Sequence, residues 1–503
     1  MSEVKVNKIS PRTNCGTVTV GDSGDSVSVT AGVPVTVNGD LKSNALKATD
    51  GGVIISQSGT NITIGASGDT VSLASGASQS GFGRAGSVNW QTGSIKTSNF
   101  TAVSGEGYFC NTTSGAFTAT LPASPSAGDI VSLKDYAATF DSNNLTVGRN
   151  SSNIGGIAAD LTLDTAQQSI TLVYVDGTKG WLATNDSTTD AVPTLYVTAT
   201  GGTVATCGDF KIHKFTGPGT FCVSCAGNSA GSNTVDYMVV AGGGGGAGGG
   251  NYQFPRGSGA GGGGGVRLSA TTYTNSGPSA PRSACVSALP VPATAYPITV
   301  GGGGAGGVGG PGAGDGGTGG NSVFSTITSA GGAKGAGHCH TYQGQDGGSG
   351  GSGANASTGG DGNTPPVSPP QGMPAGNGGA SSGNFAGGGG GGFMAAGAIG
   401  NPGGSAGAGG AGGGYPSAMG TDGQPSGGQY YVSGGGGGGM GYNGPGGSGG
   451  LGGGSAGTGG TPAGAANYYG GGGGGAGSGP GGATKTGGAG SGGLVIIRYK
   501  FQN

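Results

Sequence analysis

Val235-Asp236-Tyr237-Met238-Val239-Val240-Ala241-Gly242-Gly243-Gly244-Gly245-Gly246 opens a glycine-rich tract over residues 242–493, and Gly493-Leu494-Val495-Ile496-Ile497-Arg498-Tyr499 closes it. A flexible Gly/Ser linker needs neither an apolar segment at each end nor bulky side chains spaced through it, so the tract reads as folded. Without Cβ, glycine chains can lie unusually close, and their N–H and Cα–H groups can both donate to neighbouring carbonyls. An extended left-handed helix of the polyproline II type has about three residues per turn and no internal hydrogen bonds. Each such rod must therefore bond sideways to others. The local period agrees: Gly303-Gly304-Ala305, Gly306-Gly307-Val308, Gly309-Gly310-Pro311 runs in threes, as does Gly446-Gly447-Ser448, Gly449-Gly450-Leu451. Elsewhere the phase slips or the run becomes pure glycine. Collagen would need an unbroken G-X-Y period and far more proline. The expectation is a bundle of parallel and antiparallel polyglycine rods.

Glycine supplies 133 of the 503 residues, nearly all of the excess lying after Met238. Charged residues make up 8% and the net charge is -2, which offers no electrostatic footprint for nucleic acid or an anionic membrane. No apolar run approaches a membrane span, and Met1-Ser2-Glu3-Val4-Lys5 lacks the apolar core of a signal peptide, so membrane insertion and export are not expected. Seven cysteines scattered over the chain do not make a disulfide framework. Sustained 3.6-residue periodicity is missing while short alternating segments abound, so the chain reads as all-β with almost no α-helix.

In residues 1–103, Thr17-Val18-Thr19-Val20-Gly21-Asp22-Ser23-Gly24-Asp25 returns as Asn61-Ile62-Thr63-Ile64-Gly65-Ala66-Ser67-Gly68-Asp69, each copy two short β segments joined by an S-G-D turn. Neither copy closes a core alone. Three intertwined chains would bury the Val/Ile/Leu face as a rigid shaft, a single-chain β-solenoid being the competing reading. Residues 81–103 read as a connector. Residues 104–186 alternate cleanly, as in Ile170-Thr171-Leu172-Val173-Tyr174-Val175, and predict a small β-sandwich. Residues 187–241 read as a β neck, 242–493 as the polyglycine tip, and 494–503 as a closing strand that pairs with the neck, since a bare apolar edge invites aggregation.

Catalytic motifs carry little here. G-x-S-x-G and G-x-G-x-x-G patterns recur throughout the glycine but never between a strand and a helix. Glycoside cleavage needs two suitably spaced carboxylates, whereas the tract holds only Asp315, Asp346, Asp361 and Asp422, in turn-like settings. The expectation is a protein that is not an enzyme. Cys222-Val223-Ser224-Cys225 has the spacing of a metal or redox pair, but on an extended strand the two thiols face opposite sides. His338-Cys339-His340 would put two imidazoles on one strand face, and three such pairs on a trimer axis could ligate a metal. The plainer reading is a polar loop, and no metal or cofactor is expected. Glycine rods have no side chains with which to recognise anything, so recognition falls to the interruptions: Tyr252, Phe254, Arg256, His338, His340, Tyr342, Phe385, Tyr415, Tyr430, Tyr431, Tyr442, Tyr468 and Tyr469. Some of these aromatics are expected to plug the sides of the bundle instead.

Met1-Ser2-Glu3-Val4-Lys5-Val6-Asn7-Lys8-Ile9, Gly105-Glu106-Gly107-Tyr108-Phe109-Cys110-Asn111-Thr112-Thr113-Ser114-Gly115 and Tyr174-Val175-Asp176-Gly177-Thr178-Lys179-Gly180-Trp181 resemble tail-fibre proteins of marine tailed phages, cyanophages especially. The segments Val235 to Gly242, Tyr296-Pro297-Ile298-Thr299-Val300-Gly301 and Gly493 to Tyr499 look like the borders of their glycine-rich distal domain. The tract also looks like the polyglycine-sandwich adhesins that tip some T4-like fibres, although those are separate chains. The resemblance implies a fibrous homotrimer on the virion tail, assembled in the host cytoplasm. Its N-terminus would meet a tail, baseplate or adaptor protein, and its C-terminus a host glycan or outer-membrane protein. A fibre-borne depolymerase and a purely structural whisker or decoration protein are the alternatives.

Overall fold

The computed structural model describes residues 45–47, 53–58, 61–64, 88–186, 193–250, 256–269, 287–310, 312, 314–337, 342–381, 384–441, 444–479 and 485–502. The chain divides into two compact units, Met1–Ser87 and Val88–Asn503. In the first, strands Ala45–Lys47, Val53–Ser58 and Asn61–Ile64 form an antiparallel sheet. One row across it joins Leu46, Ile55 and Ile64. Most of the repeat, residues 17–29 and 65–73, lies outside the described residues.

Residues 88–186 fold as two sheets, of four and five strands, closed on one core that includes Leu121, Leu133, Leu145, Leu172 and Trp181. Strand alternation makes this core: Leu145 and Val147 point in while Thr146 does not. The sandwich takes in Asn89–Trp90 and Phe100–Thr101, which join its two sheets as short edge strands. The segment read as a connector from sequence therefore contributes to the fold.

Beyond it, a five-stranded and a six-stranded sheet face each other. The closing strand Leu494–Lys500 lies between Phe210–Phe215 and Thr234–Val240 and pairs antiparallel with both. Its alternate residues serve two cores. Val495, Ile497 and Tyr499 pack with Phe221, Val235, Tyr237 and Phe324 between the sheets. Leu494 and Ile496 face the other way, toward Phe393, Tyr415, Met419 and Val432. The neck is not confined to residues 187–241, because Val266–Leu268, Ala295–Thr299, Ser322–Phe324 and Ile327–Ser329 return from the glycine tract to complete the two sheets.

Strand Thr234–Val240 runs directly into a rod, residues 241–249, whose bonding sets the geometry of the glycine tract. Ala241, Gly244 and Ala247 donate N–H to the carbonyls of Gly265, Gly262 and Gly259; Gly242, Gly245 and Gly248 donate to Gly320, Gly317 and Gly314; Gly243, Gly246 and Gly249 donate to Ser491, Gly488 and Lys485, all at 2.7–3.1 Å. Every third residue thus points to the same antiparallel neighbour, the threefold period of a polyglycine II helix. Three parallel neighbours donate back, through Gly304 and Gly307, Gly332 and Gly335, and Gly473 and Ala476. Six neighbours surround one rod.

This packing explains where glycine is required. A Cβ on Gly243, Gly244 or Gly245 would meet a backbone carbonyl oxygen of an adjacent rod at 2.0 Å, so the limit is interchain spacing and not backbone torsion. The five unbroken runs of five or six glycines, 242–246, 261–265, 387–392, 434–439 and 470–475, are buried at every residue. Rods written G-G-X lie at the periphery. In residues 301–310, Gly301, Gly304, Gly307 and Gly310 are buried, whereas Gly302, Ala305 and Val308 are exposed.

Candidate binding face at the rod ends

Rod direction sorts the chain interruptions into two groups. The first lies at the sheet end. Tyr415 is fully buried in the core beneath the closing strand, and Tyr430 and Tyr469 pack partly against it. Tyr431 and Tyr468 are half-buried at the same end. Tyr431 stands opposite Gly414 across paired strands, and the Tyr468 carbonyl accepts the Gly471 N–H. Tyr415, expected among the recognition residues, lies in this core, on a strand, Gly413–Tyr415, that is buried at every residue.

A second group lies at the far end, about 25 Å along the rod at the rise of such a helix. Hydrogen bonds fix its level. The Ser258 hydroxyl donates to the Gly248 carbonyl at 3.0 Å, and Gly439 N–H donates to the Ser258 carbonyl at 2.8 Å. Ala386 bridges Met440, and Gly441 N–H donates to the Phe385 carbonyl at 3.2 Å. This brings the half-buried Phe385, on the hairpin strand Asn384–Ala386, to the rod ends. Tyr342, 36% exposed with φ +55, accepts the Ala354 N–H at its carbonyl at 2.8 Å on the same face. Arg256 exchanges backbone and hydroxyl hydrogen bonds with Ser478, which donates from N–H at 3.1 Å and from Oγ at 2.9 Å to the Arg256 carbonyl. Tyr252, Phe254, His338, His340 and Tyr442 lie outside the described residues.

Charge is placed unevenly between the ends. Asp422 pairs with Lys214 at 2.7 Å against the sheet. That hydrogen bond holds the Lys214 ammonium above its ordinary range. Asp346 accepts the Asp361 N–H at 2.7 Å, and Gly347 in turn donates to the Asp361 carbonyl, toward the sheet end. Asp315 is tied to Lys334 at 2.9 Å and accepts the Gly337 N–H. Lys485 is 2% exposed, and its ammonium donates to the Gly479 carbonyl at 2.7 Å. Burial pushes its pKa down. Sequence reasoning did not single out Lys485 or Ser478, although Thr484-Lys485-Thr486 is a charged break in the last glycine stretch.

Away from both rod ends, a cavity of about 290 Å³ opens beside the closing strand, lined by Phe210, Ser232, Thr234, Asp236, Arg498 and Lys500. The Arg498 guanidinium lies 3.7 Å over the Phe210 ring and 3.5 Å from Asp236 Oδ2. Burial raises the Asp236 pKa, opposed by the Ser269 hydroxyl and Arg498. Here a cation and an anion neutralise each other across paired strands. No group of three or more His, Cys, Asp or Glu able to hold a metal ion occurs among the described residues, and no helix among them is long and apolar enough to cross a membrane.

Comparison with curated proteins gives no match. A family profile, the glycine-rich domain, matches residues 215–500. The match begins at Phe215, which pairs with Val495 of the closing strand, so it spans both sheet borders and every rod between them. It covers more than half of the chain, which therefore belongs to the glycine-rich domain family.

Proposed function

We propose that this protein is a non-enzymatic phage tail fibre whose glycine-rich tip binds the host cell surface through turns at the rod ends. The observation that carries the reading is the one-sided display of those turns. A lattice of buried backbone, bonded in three directions, holds Arg256, Tyr342 and Phe385 on the end opposite the sheets through which the chain enters. Such a scaffold fixes the position of adaptable loops without constraining their sequence, which suits a surface that must match changing receptors. The resemblance of the N-terminal segments to cyanophage tail fibres supplies the virion context. Residues 1–87 then belong to the attachment and shaft region, and association of three chains presents three tips to one surface, so that weak single contacts gain avidity.

Antibodies raised against the purified chain test this on particles of the phage that carries the gene. Electron microscopy is expected to find label along the tail fibres and blocked adsorption after labelling. Label confined to the capsid, or labelled particles that adsorb normally, would overturn the reading in favour of a decoration protein.

A further inference from the structure

Strand Gly219–Ala226 carries a β-bulge that changes how Cys222 and Cys225 face. Its neighbour Val197–Thr200 pairs with it as Thr200 to Cys222, Ala199 to Val223, Thr198 to Cys225 and Val197 to Ala226. Ser224 is the extra residue, and its hydroxyl donates to the Thr198 carbonyl at 3.2 Å. Residues directly opposite each other share one face of a sheet. Val197, Ala199 and Val223 are buried in the core between the sheets, whereas Thr198, Thr200 and Cys222 are exposed. Cys225, half-buried and opposite Thr198, therefore lies on the outer face with Cys222. In an unbroken strand the two thiols would have faced opposite sides.

The partner strand covers the same distance in two residues, which puts Cys222 and Cys225 roughly 6.5–7 Å apart at Cα. That is the upper limit for a disulfide, about 6.8 Å, so a direct S–S bond there is strained. A cation between the sulfurs fits better: with metal–thiolate bonds of about 2.3 Å, as for zinc, the sulfurs stand up to about 4.6 Å apart. Among the described residues the pair belongs to no group of three or more His, Cys, Asp or Glu. Structural Zn²⁺ asks for four ligands, whereas two soft thiolates suit a soft cation of low coordination number.

We infer that Cys222 and Cys225 form a two-thiolate site for a soft monovalent cation of the Cu(I) type. Cys222 is exposed, so the ion reaches the pair directly from solvent. On binding, each thiol loses its proton to water and its sulfur donates an electron pair to the metal: two S–H bonds break, two S–Cu bonds form, and no electron is transferred. The inference goes beyond the adhesin reading and does not depend on it.

The test titrates the reduced full chain with Cu(I) under nitrogen, in competition with the chromophoric chelator bathocuproine disulfonate. The chain is expected to withdraw copper from the chelator with an ultraviolet sulfur-to-copper charge-transfer band. Cys222→Ser and Cys225→Ser should each lose at least tenfold in affinity, while Cys207→Ser, at an exposed thiol on the other sheet, binds as the unmodified chain does. An equal concentration of Zn²⁺ should leave the copper in place, and affinity should fall with pH as protons compete for sulfur. A second measurement needs no variant. One equivalent of Cu(I) is expected to protect Cys222 and Cys225 from alkylation and to leave Cys207 reactive, as read by mass spectrometry of peptides.

Equal copper affinity in all three variants, or alkylation of Cys222 at the same rate with and without copper, would overturn the site. Copper loading that fails while oxidised glutathione joins the two thiols would overturn it in favour of a disulfide.

Discussion

The Tyr499 hydroxyl stands 3.2 Å from Nε2 of His213, across neighbouring strands in the core between the two sheets. Nδ1 of the same ring lies 2.7 Å from the Gly201 carbonyl, which can only accept, so Nδ1 carries the proton and Nε2 accepts from Tyr499. Tyr499 in turn accepts the Ala199 N–H at 3.1 Å. Both nitrogens of the neutral imidazole thus have partners, and the Tyr499 hydroxyl has the Ala199 carbonyl at 3.4 Å as a second acceptor. Burial lowers the His213 pKa below its ordinary value of 6.5. The unfolded chain then binds the proton more readily, so stability is complete above about pH 6.5 and declines as the pH falls toward the depressed folded value. Thermal melts between pH 8 and pH 5 should show this fall, and His213→Gln should flatten it at the cost of a lower melting temperature throughout. An unchanged slope in the variant would mean that other groups govern the acid limb.

Interior and peripheral glycines should respond oppositely to the same substitution. A Cβ at Gly436 would meet the Gly473 carbonyl oxygen at 2.2 Å, backbone against backbone, whereas one at Gly302 meets nothing within 4 Å. Gly436→Ala is expected to destabilise by at least about 1–3 kcal/mol, the usual range for overpacking. Gly302→Ala should be neutral or stabilising by about 0.4–1 kcal/mol, since it narrows the unfolded ensemble. Denaturant unfolding of the two variants measures the difference, and similar losses in both would contradict the rod lattice.

Thiol chemistry tests the sandwich. Cys110 is fully buried, and burial pushes its thiol up to about 12, with Lys96 opposing and Asp135 reinforcing the shift. Cys207 and Cys222 are exposed. Alkylation of the native chain at pH 8, read by mass spectrometry of peptides, is expected to mark Cys207 and Cys222 within minutes and Cys110 only after unfolding. Rapid native labelling of Cys110 would place the sandwich core wrongly.

Much of this architecture was legible in the chain because its signals are local. The alternation of Ile170 to Val175 announces a half-buried strand, and the apolar pattern of Leu494 to Tyr499 asks for partners on both sides, which Phe210–Phe215 and Thr234–Val240 provide. The periods of three around Ala305 and Val308 gave the rods. What sequence reading passed over was the meaning of the slips between them: an unbroken glycine run marks a rod with neighbours on every side, and G-G-X marks one whose third residue faces water. Short returning strands such as Ser322–Phe324 were hidden because three residues carry too little periodicity to stand out.

The candidate site was legible only in part. Tyr342 and Tyr415 look alike in sequence, each an aromatic residue among turn formers, yet one is 36% exposed at the rod ends and the other is fully buried against the sheet. Their difference depends on how many rods precede each turn, since every rod reverses or keeps the direction of travel. No local pattern encodes that parity. Lys485 escaped notice for a related reason, because a single lysine in a glycine stretch shows its burial only once the neighbouring rods are in place.

The most direct test of the central claim compares substitutions at the two rod ends in adhesion of the fluorescently labelled full chain to host cells. One variant combines Arg256→Ala, Tyr342→Ala and Phe385→Ala at the far end; the other combines Tyr430→Ala, Tyr431→Ala and Tyr468→Ala at the sheet end. Circular dichroism and solution mass establish that both retain fold and assembly. The far-end variant is expected to lose at least tenfold in apparent affinity while the sheet-end variant binds as the unmodified chain does. Unchanged adhesion in the far-end variant, with loss in the sheet-end one, would contradict the account.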